Sequence, residues 1–174
     1  MKVAVVGQFS SGKSALINAL LRQGILPMGV EPKTAVLHRV MWGSAARAVL
    51  VEQSDEQEEI SLQALETLTG DSARAQRLAE IQIHLPESFL KDVEIWDTPG
   101  FGSQSLSHEV SARKALTEAD LALWVTPIDA AITKAELAEI ERLKKYDTPV
   151  ILVVNKADLV DEDEREEAAD FFAP

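Results

Sequence analysis

The segment Gly7-Gln8-Phe9-Ser10-Ser11-Gly12-Lys13-Ser14 constrains this chain more than any other stretch of it. It follows the apolar run Val3–Val6 and opens the apolar-striped stretch Lys13–Arg22, so the local order is strand, glycine-bounded loop, helix. A G-x-x-x-x-G-K-S loop in that setting is suited to cradling phosphate. Glycines let backbone N–H groups approach the anion, and the following helix adds its positive end. Gly7, Gln8, Phe9, Ser10, Ser11, Gly12, Lys13, Ser14 and Ala15 are therefore the candidate cofactor-binding set. Lys13 is placed to reach the β- and γ-phosphates, and the Ser14 hydroxyl to ligate Mg²⁺. A plain Gly/Ser-rich turn is the alternative, and the strand before and helix after argue against it.

Further apolar runs alternate with helical patterns. Val36–Trp42 and Arg47–Gln53 read as two strands joined by a short turn around Gly43-Ser44, and Ile81–Leu85 and Val93–Trp96 as two more. Leu121–Thr126 and Val150–Val154 are expected to be strands, the latter a last buried one. Helices are expected at Lys13–Arg22, with Leu16, Ile17, Leu20 and Leu21 inward, within residues 61–80, and up to Glu118. Thr133-Lys134-Ala135-Glu136 is a capping-box pattern opening a helix whose buried stripe includes Leu137, Ile140 and Leu143. Asp161–Phe172 reads as an acidic helix with a solvated face. Such alternation predicts an α/β fold: a three-layer α-β-α sandwich of the P-loop NTPase type with a mainly parallel sheet.

Two more motifs stand at strand ends. Asp97-Thr98-Pro99-Gly100 follows Val93–Trp96, where the aspartate can hold Mg²⁺ through water and Gly100 can offer its N–H to the γ-phosphate. By itself D-T-P-G is equally a turn. Asn155-Lys156-Ala157-Asp158 follows Val150–Val154. Its carboxylate can accept two hydrogen bonds from guanine N1–H and N2–H₂, groups that adenine lacks, while Lys156 lays its stem along the base. A helix N-cap is the plain reading of Asp158. Three motifs in this order point to GTP over ATP. Between the first two lies Gly24–Leu37, where Thr34 either ligates Mg²⁺ and holds the attacking water or simply begins a strand.

Composition narrows the partners. The net charge is −12, from 29 acidic and 17 basic residues, which disfavours nucleic acid and direct adhesion to anionic lipid. No cysteine is present, excluding disulfides and thiolate chemistry. No run of about 18 apolar residues occurs, so no transmembrane helix is expected. A cytoplasmic protein is the compatible reading. His38, His84 and His108 lack metal-ligand spacing, and Trp42, Trp96 and Trp124 read as core or sheet-face packing.

The stretch Phe9–Leu21, with Leu26-Pro27 and Pro32-Lys33-Thr34-Ala35, resembles the GTPase domain of dynamin-like proteins, the bacterial ones above all. The long segment between Thr34 and Asp97 is similar to that family too. The resemblance implies a GTP hydrolase that self-associates through its nucleotide face and remodels membranes only through regions outside this chain, with peripheral membrane association in the full-length protein. It implies that Ser10 helps bind a monovalent cation, K⁺ or Na⁺, and that the Gly29 carbonyl completes that site. It assigns Thr34 the positioning of water, and the catalytic set becomes Ser10, Lys13, Thr34 and Gly100. The metal set is Ser14, Thr34 and Asp97. Phe101 stands where small GTPases often place a water-orienting glutamine, so slow hydrolysis by the isolated monomer is expected. A second reading is a GTP/GDP switch module with negligible hydrolysis of its own. Nothing like the family's last guanine-contacting loop or helical stalk follows Asp158, so residues 1–174 are read as one G domain incomplete at its C-terminal end.

Overall fold

A computed structural model describes residues 1–27, 36–68, 72–100, 115–129, 132–144 and 148–172. The strands are β1 (Lys2–Val6), β2 (Leu37–Trp42), β3 (Arg47–Glu52), β4 (Gln57–Ile60), β5 (Leu78–Leu85), β6 (Glu94–Asp97), β7 (Leu121–Pro127) and β8 (Val150–Asn155). The helices are α1 (Lys13–Leu21), α2 (Leu62–Leu68), α3 (Ser72–Ala75), α4 (Lys134–Lys144) and α5 (Glu162–Phe172), with a helical turn at 115–118. One eight-stranded sheet has the order β4-β3-β5-β2-β6-β1-β7-β8. Four of its strand pairs are parallel and three antiparallel. The expected mainly parallel α/β sheet is present.

The alternation of side chains along β1 explains the layering. Val5 faces a core that includes Ile17 and Leu21 of α1, while Ala4 and Val6 face a second core with Leu116, Trp124 and Leu143. A strand buried on both faces is uninterruptedly apolar, as Val3–Val6 is. β1 pairs in parallel with β6 on one side and β7 on the other. The chain thus reverses its strand order at β1, and the loop leaving that strand opens into the crevice where α/β sheets bind ligands.

Several local expectations are corrected. β2 and β3 do not pair with each other; β5 lies between them. Their connection crosses the end of β5, with Gly43 N–H donating to the Leu85 carbonyl at 2.9 Å. Glycine is needed because a Cβ at residue 43 would sit 2.6 Å from His84 Cβ. β4 was not expected, since Gln-Glu-Glu-Ile lacks apolar alternation; its charges suit an edge strand. β8 is not a buried strand: Ile151 and Leu152 are 51% and 36% exposed, because β8 forms an edge of the sheet. Leu20 faces outward, and Asn18 is buried on α1 in its place. On α4, Leu137 is exposed, while Glu136 and Leu143 face inward. Trp96 and Trp124 are core residues, whereas Trp42 is partly exposed and lies under Lys91 Nζ, 5.6 Å from the ring centre.

Asn18 fastens the end of α1. Its Oδ1 accepts the Ile25 and Leu26 N–H groups at 3.0 and 2.8 Å, and its Nδ2 donates to the Leu26 carbonyl at 2.9 Å. Removing it strands buried backbone groups, which costs more than the net worth of the bonds themselves. Asn18→Ala is expected to lower unfolding free energy by roughly 2–4 kcal/mol in chemical denaturation, with Asn18→Asp intermediate because it keeps an acceptor for the two N–H groups and loses the donor to the Leu26 carbonyl.

Candidate nucleotide-binding site

The cradle runs from the carboxyl end of β1 into α1. Gly7 and Gly12 have φ of +147° and +94°. Neither has room for a side chain: a Cβ would lie 2.1 Å from the Val125 carbonyl oxygen at Gly7, and 2.1 Å from Asn155 Nδ2 at Gly12. That Nδ2 donates to the Ser11 carbonyl at 3.0 Å. Ser10 takes a left-handed conformation with φ 63° at the exposed rim, next to the partly exposed Phe9. Lys13 is 7% exposed, and its Nζ donates to the Gly7 and Gln8 carbonyls at 3.2 and 2.7 Å.

Ser14 and Asp97 meet directly, the hydroxyl donating to Asp97 Oδ2 at 2.6 Å. Asp97 is fully buried, and its Oδ1 has no hydrogen-bond partner among the described residues. A hydroxyl beside a carboxylate with an uncommitted oxygen is a donor set that a hard divalent cation takes, and one carboxylate is the usual number when phosphates complete the shell. Thr98 anchors the loop behind it, donating from Oγ1 to the Val5 carbonyl at 2.9 Å. Gly100 lies against the cradle: a Cβ there would be 2.7 Å from Phe9 N.

The third motif closes the other side. Lys156 is left-handed, φ 61°, and turns the chain into the exposed 3-10 turn Ala157–Leu159 that carries Asp158. The N-cap of α5 is Asp161, which accepts the Glu164 N–H at 3.0 Å, so Asp158 is not used for capping. Arg165 holds the turn at both ends, donating to the Ala157 carbonyl at 2.5 Å and the Val160 carbonyl at 3.0 Å. Gly29, Thr34 and Phe101 lie outside the described residues. Sequence reasoning gave Thr98 and Arg165 no role of their own and set His38 aside. The last stands opposite Asp97 in the β2–β6 register, a non-local pairing that no local pattern signals.

Burial dominates the electrostatics. It pushes the Lys13 ammonium down to about 8, against the attraction of Asp97. It pushes the Asp97 carboxyl up to about 6, against the Ser14 hydrogen bond and the Lys13 charge. Both groups have lost hydration, so an anion at Lys13 and a cation at Asp97 would each restore the charged form.

Fold and loop together define a P-loop NTPase fold. A sequence profile of the dynamin family matches residues 3–158. The chain belongs to the dynamin family. It is 32% identical over 170 residues to the GTPase Era of Thermoanaerobacter sp. (strain X514), covering 98% of this chain and 43% of that protein. It is 28% identical over 166 residues to dynamin-like protein 2 of Campylobacter jejuni (strain 81-176), covering 94% and 27%. A solved oligomerised bacterial dynamin pair, described as a mechanism for long-range sensing and tethering of membranes, superposes with a TM-score of 0.73 at 20% identity, over 98% of this chain and 28% of that one. The chain therefore spans less than half the length of these relatives.

His38 and Asp97 titrate with opposite effects. Burial depresses His38 to about 4, so its contribution to stability is present above pH 6.5 and is lost as pH falls through 4. Asp97 is raised, so its contribution is present below pH 3.8 and is lost as pH rises through 6. Each amounts to roughly 3 kcal/mol. In metal-free, nucleotide-free protein they offset one another between pH 4 and 6.5. Asp97→Asn is expected to lose stability relative to wild type as pH falls from 6.5 to 4, and His38→Leu to gain it, read by urea denaturation across that range.

Proposed function

We propose that this chain binds GTP with Mg²⁺ and hydrolyses it to GDP and phosphate, as the nucleotide-driven part of a larger membrane-acting protein. The observation that carries the reading is the hydrogen bond of Ser14 to the buried Asp97, with the buried Lys13 held on the cradle's own carbonyls and Asn155 holding the cradle from behind. Backbone N–H groups of residues 8–15 bind the phosphates, and Lys13 exchanges its carbonyl partners for the β- and γ-phosphate oxygens. Ser14 and Asp97 would hold Mg²⁺, which would supply positive charge beside the phosphates. Thr34 orients the attacking water, and Gly100 directs its N–H to the γ-phosphate. Asp158 selects guanine, with Lys156 against the base. Ser10 and the Gly29 carbonyl are the residues that would hold a K⁺ or Na⁺ ion, which would supply the charge that an arginine finger supplies elsewhere.

Residues 1–174 are taken as one GTPase domain of that larger protein. Self-association through the nucleotide face and a cytoplasmic, membrane-peripheral location belong to the same proposal. Phe101 favours a second reading, a GTP/GDP switch with negligible turnover of its own, because a phenyl ring cannot align water.

Multiple-turnover phosphate release separates the two. Hydrolysis predicts K⁺- or Na⁺-dependent release that Lys13→Ala lowers by at least about 100-fold, the scale of losing a main electrostatic contact. Stoichiometric GTP binding without release indicates the switch. Asp158→Asn is expected to shift competition binding from GTP towards xanthosine triphosphate, and unchanged base preference would remove Asp158 from the base pocket.

A further inference from the structure

Phosphate cradling needs the backbone of residue 8, and the loop pattern leaves its side chain free. Here that side chain is committed elsewhere. Gln8 Nε2 donates to Glu136 Oε2 at 2.7 Å and lies 3.4 Å from Thr133 Oγ1, joining residues 128 positions apart. Glu136 Oε2 also accepts the Thr133 N–H and hydroxyl, both at 2.9 Å, and Thr133 Oγ1 accepts the Glu136 N–H at 3.3 Å. This is a capping box on α4 with a third member from the cradle. A capping-box carboxylate can remain solvated, but Glu136 is only 4% exposed. A buried carboxylate requires donors, and Gln8 supplies one. The Gln8 carbonyl meanwhile holds Lys13 Nζ at 2.7 Å. One residue thus grips the catalytic-site lysine with its backbone and the start of α4 with its side chain.

We propose that Gln8 and Glu136 form a positioning bracket that fixes the first turn of the cradle to the N-terminus of α4. A shift of α4, or of the connection that leads into it from β7, then moves the phosphate site. The effect on nucleotide rests on reading the cradle as the phosphate site; the mechanical link does not.

Two measurements test it on the whole chain. Backbone hydrogen exchange of residues 8–14, without nucleotide, reads the bracket alone, and release of fluorescent GDP with Mg²⁺ reads its consequence. Gln8→Glu sets two carboxylates against each other and is expected to speed both by about ten-fold, a scale set by the loss of one charge-assisted hydrogen bond. Gln8→Ala shifts both the same way by less. The double variant Gln8→Glu/Glu136→Gln restores both to within about three-fold of wild type. Gln8 and the Thr133 N–H meet the same Glu136 oxygen, so the introduced amide has to turn about its last torsion to donate to the introduced carboxylate while its oxygen still accepts from Thr133. A solely structural effect would not be rescued by this swap. Unchanged cradle exchange in Gln8→Glu, or a double variant no better than the single, overturns the bracket. A wild-type chain that binds no GDP overturns the nucleotide reading instead, and the exchange result still decides the bracket.

Discussion

The hydrogen bond from the Asn155 amide to the Ser11 carbonyl, 3.0 Å long, is the contact on which the site depends. β1 and β8 are not neighbours, for β7 runs between them. Asn155 therefore reaches across the end of β7 to hold the loop that leaves β1. The approach is close enough that residue 12 has to be glycine, and the Val125 carbonyl imposes the same demand on residue 7. The two glycines of the loop pattern are thus fixed from behind, by two neighbouring strand ends. Freedom of backbone approach to phosphate is the second consequence of the same absence of side chains.

That rear clamp lets the front of the loop hold unfavourable groups. Lys13 and Asp97 are both buried and both displaced from their ordinary protonation ranges by lost solvation. Asp97 has an oxygen without a donor among the described residues, and Lys13 is bonded only to carbonyls in the described contacts. Such groups cost stability and gain from a charged ligand, a common exchange at functional sites.

How much of this could be read from the sequence follows from what is local. The loop at residues 7–14 and the strand before it were legible because glycine spacing and an unbroken apolar run are local signals, as was the capping box at Thr133. Strand order was legible only as a class. Nothing near Gly43 signals that β5 separates β2 from β3, and the polar β4 is visible only through its pairing with β3. The apolar stretch at β8 predicts burial that its place at the sheet edge does not provide. Helix faces failed where polar residues had structural work inside, as at Asn18 and Glu136. Within the site, Lys13, Ser14 and Asp97 converge as their motifs suggest. The partners that hold them, Asn155 on Ser11, Thr98 on Val5 and Gln8 on Glu136, are distant in sequence and leave no local trace.

The most direct test is a crystal structure of this chain with Mg²⁺ and a non-hydrolysable GTP analogue. The account predicts the phosphates on the amides of residues 8–15 and a metal ion between the phosphates and Ser14 Oγ, with Asp97 on the same side. Nucleotide bound elsewhere, or bound in the cradle with no metal beside Ser14 and Asp97, would contradict the account.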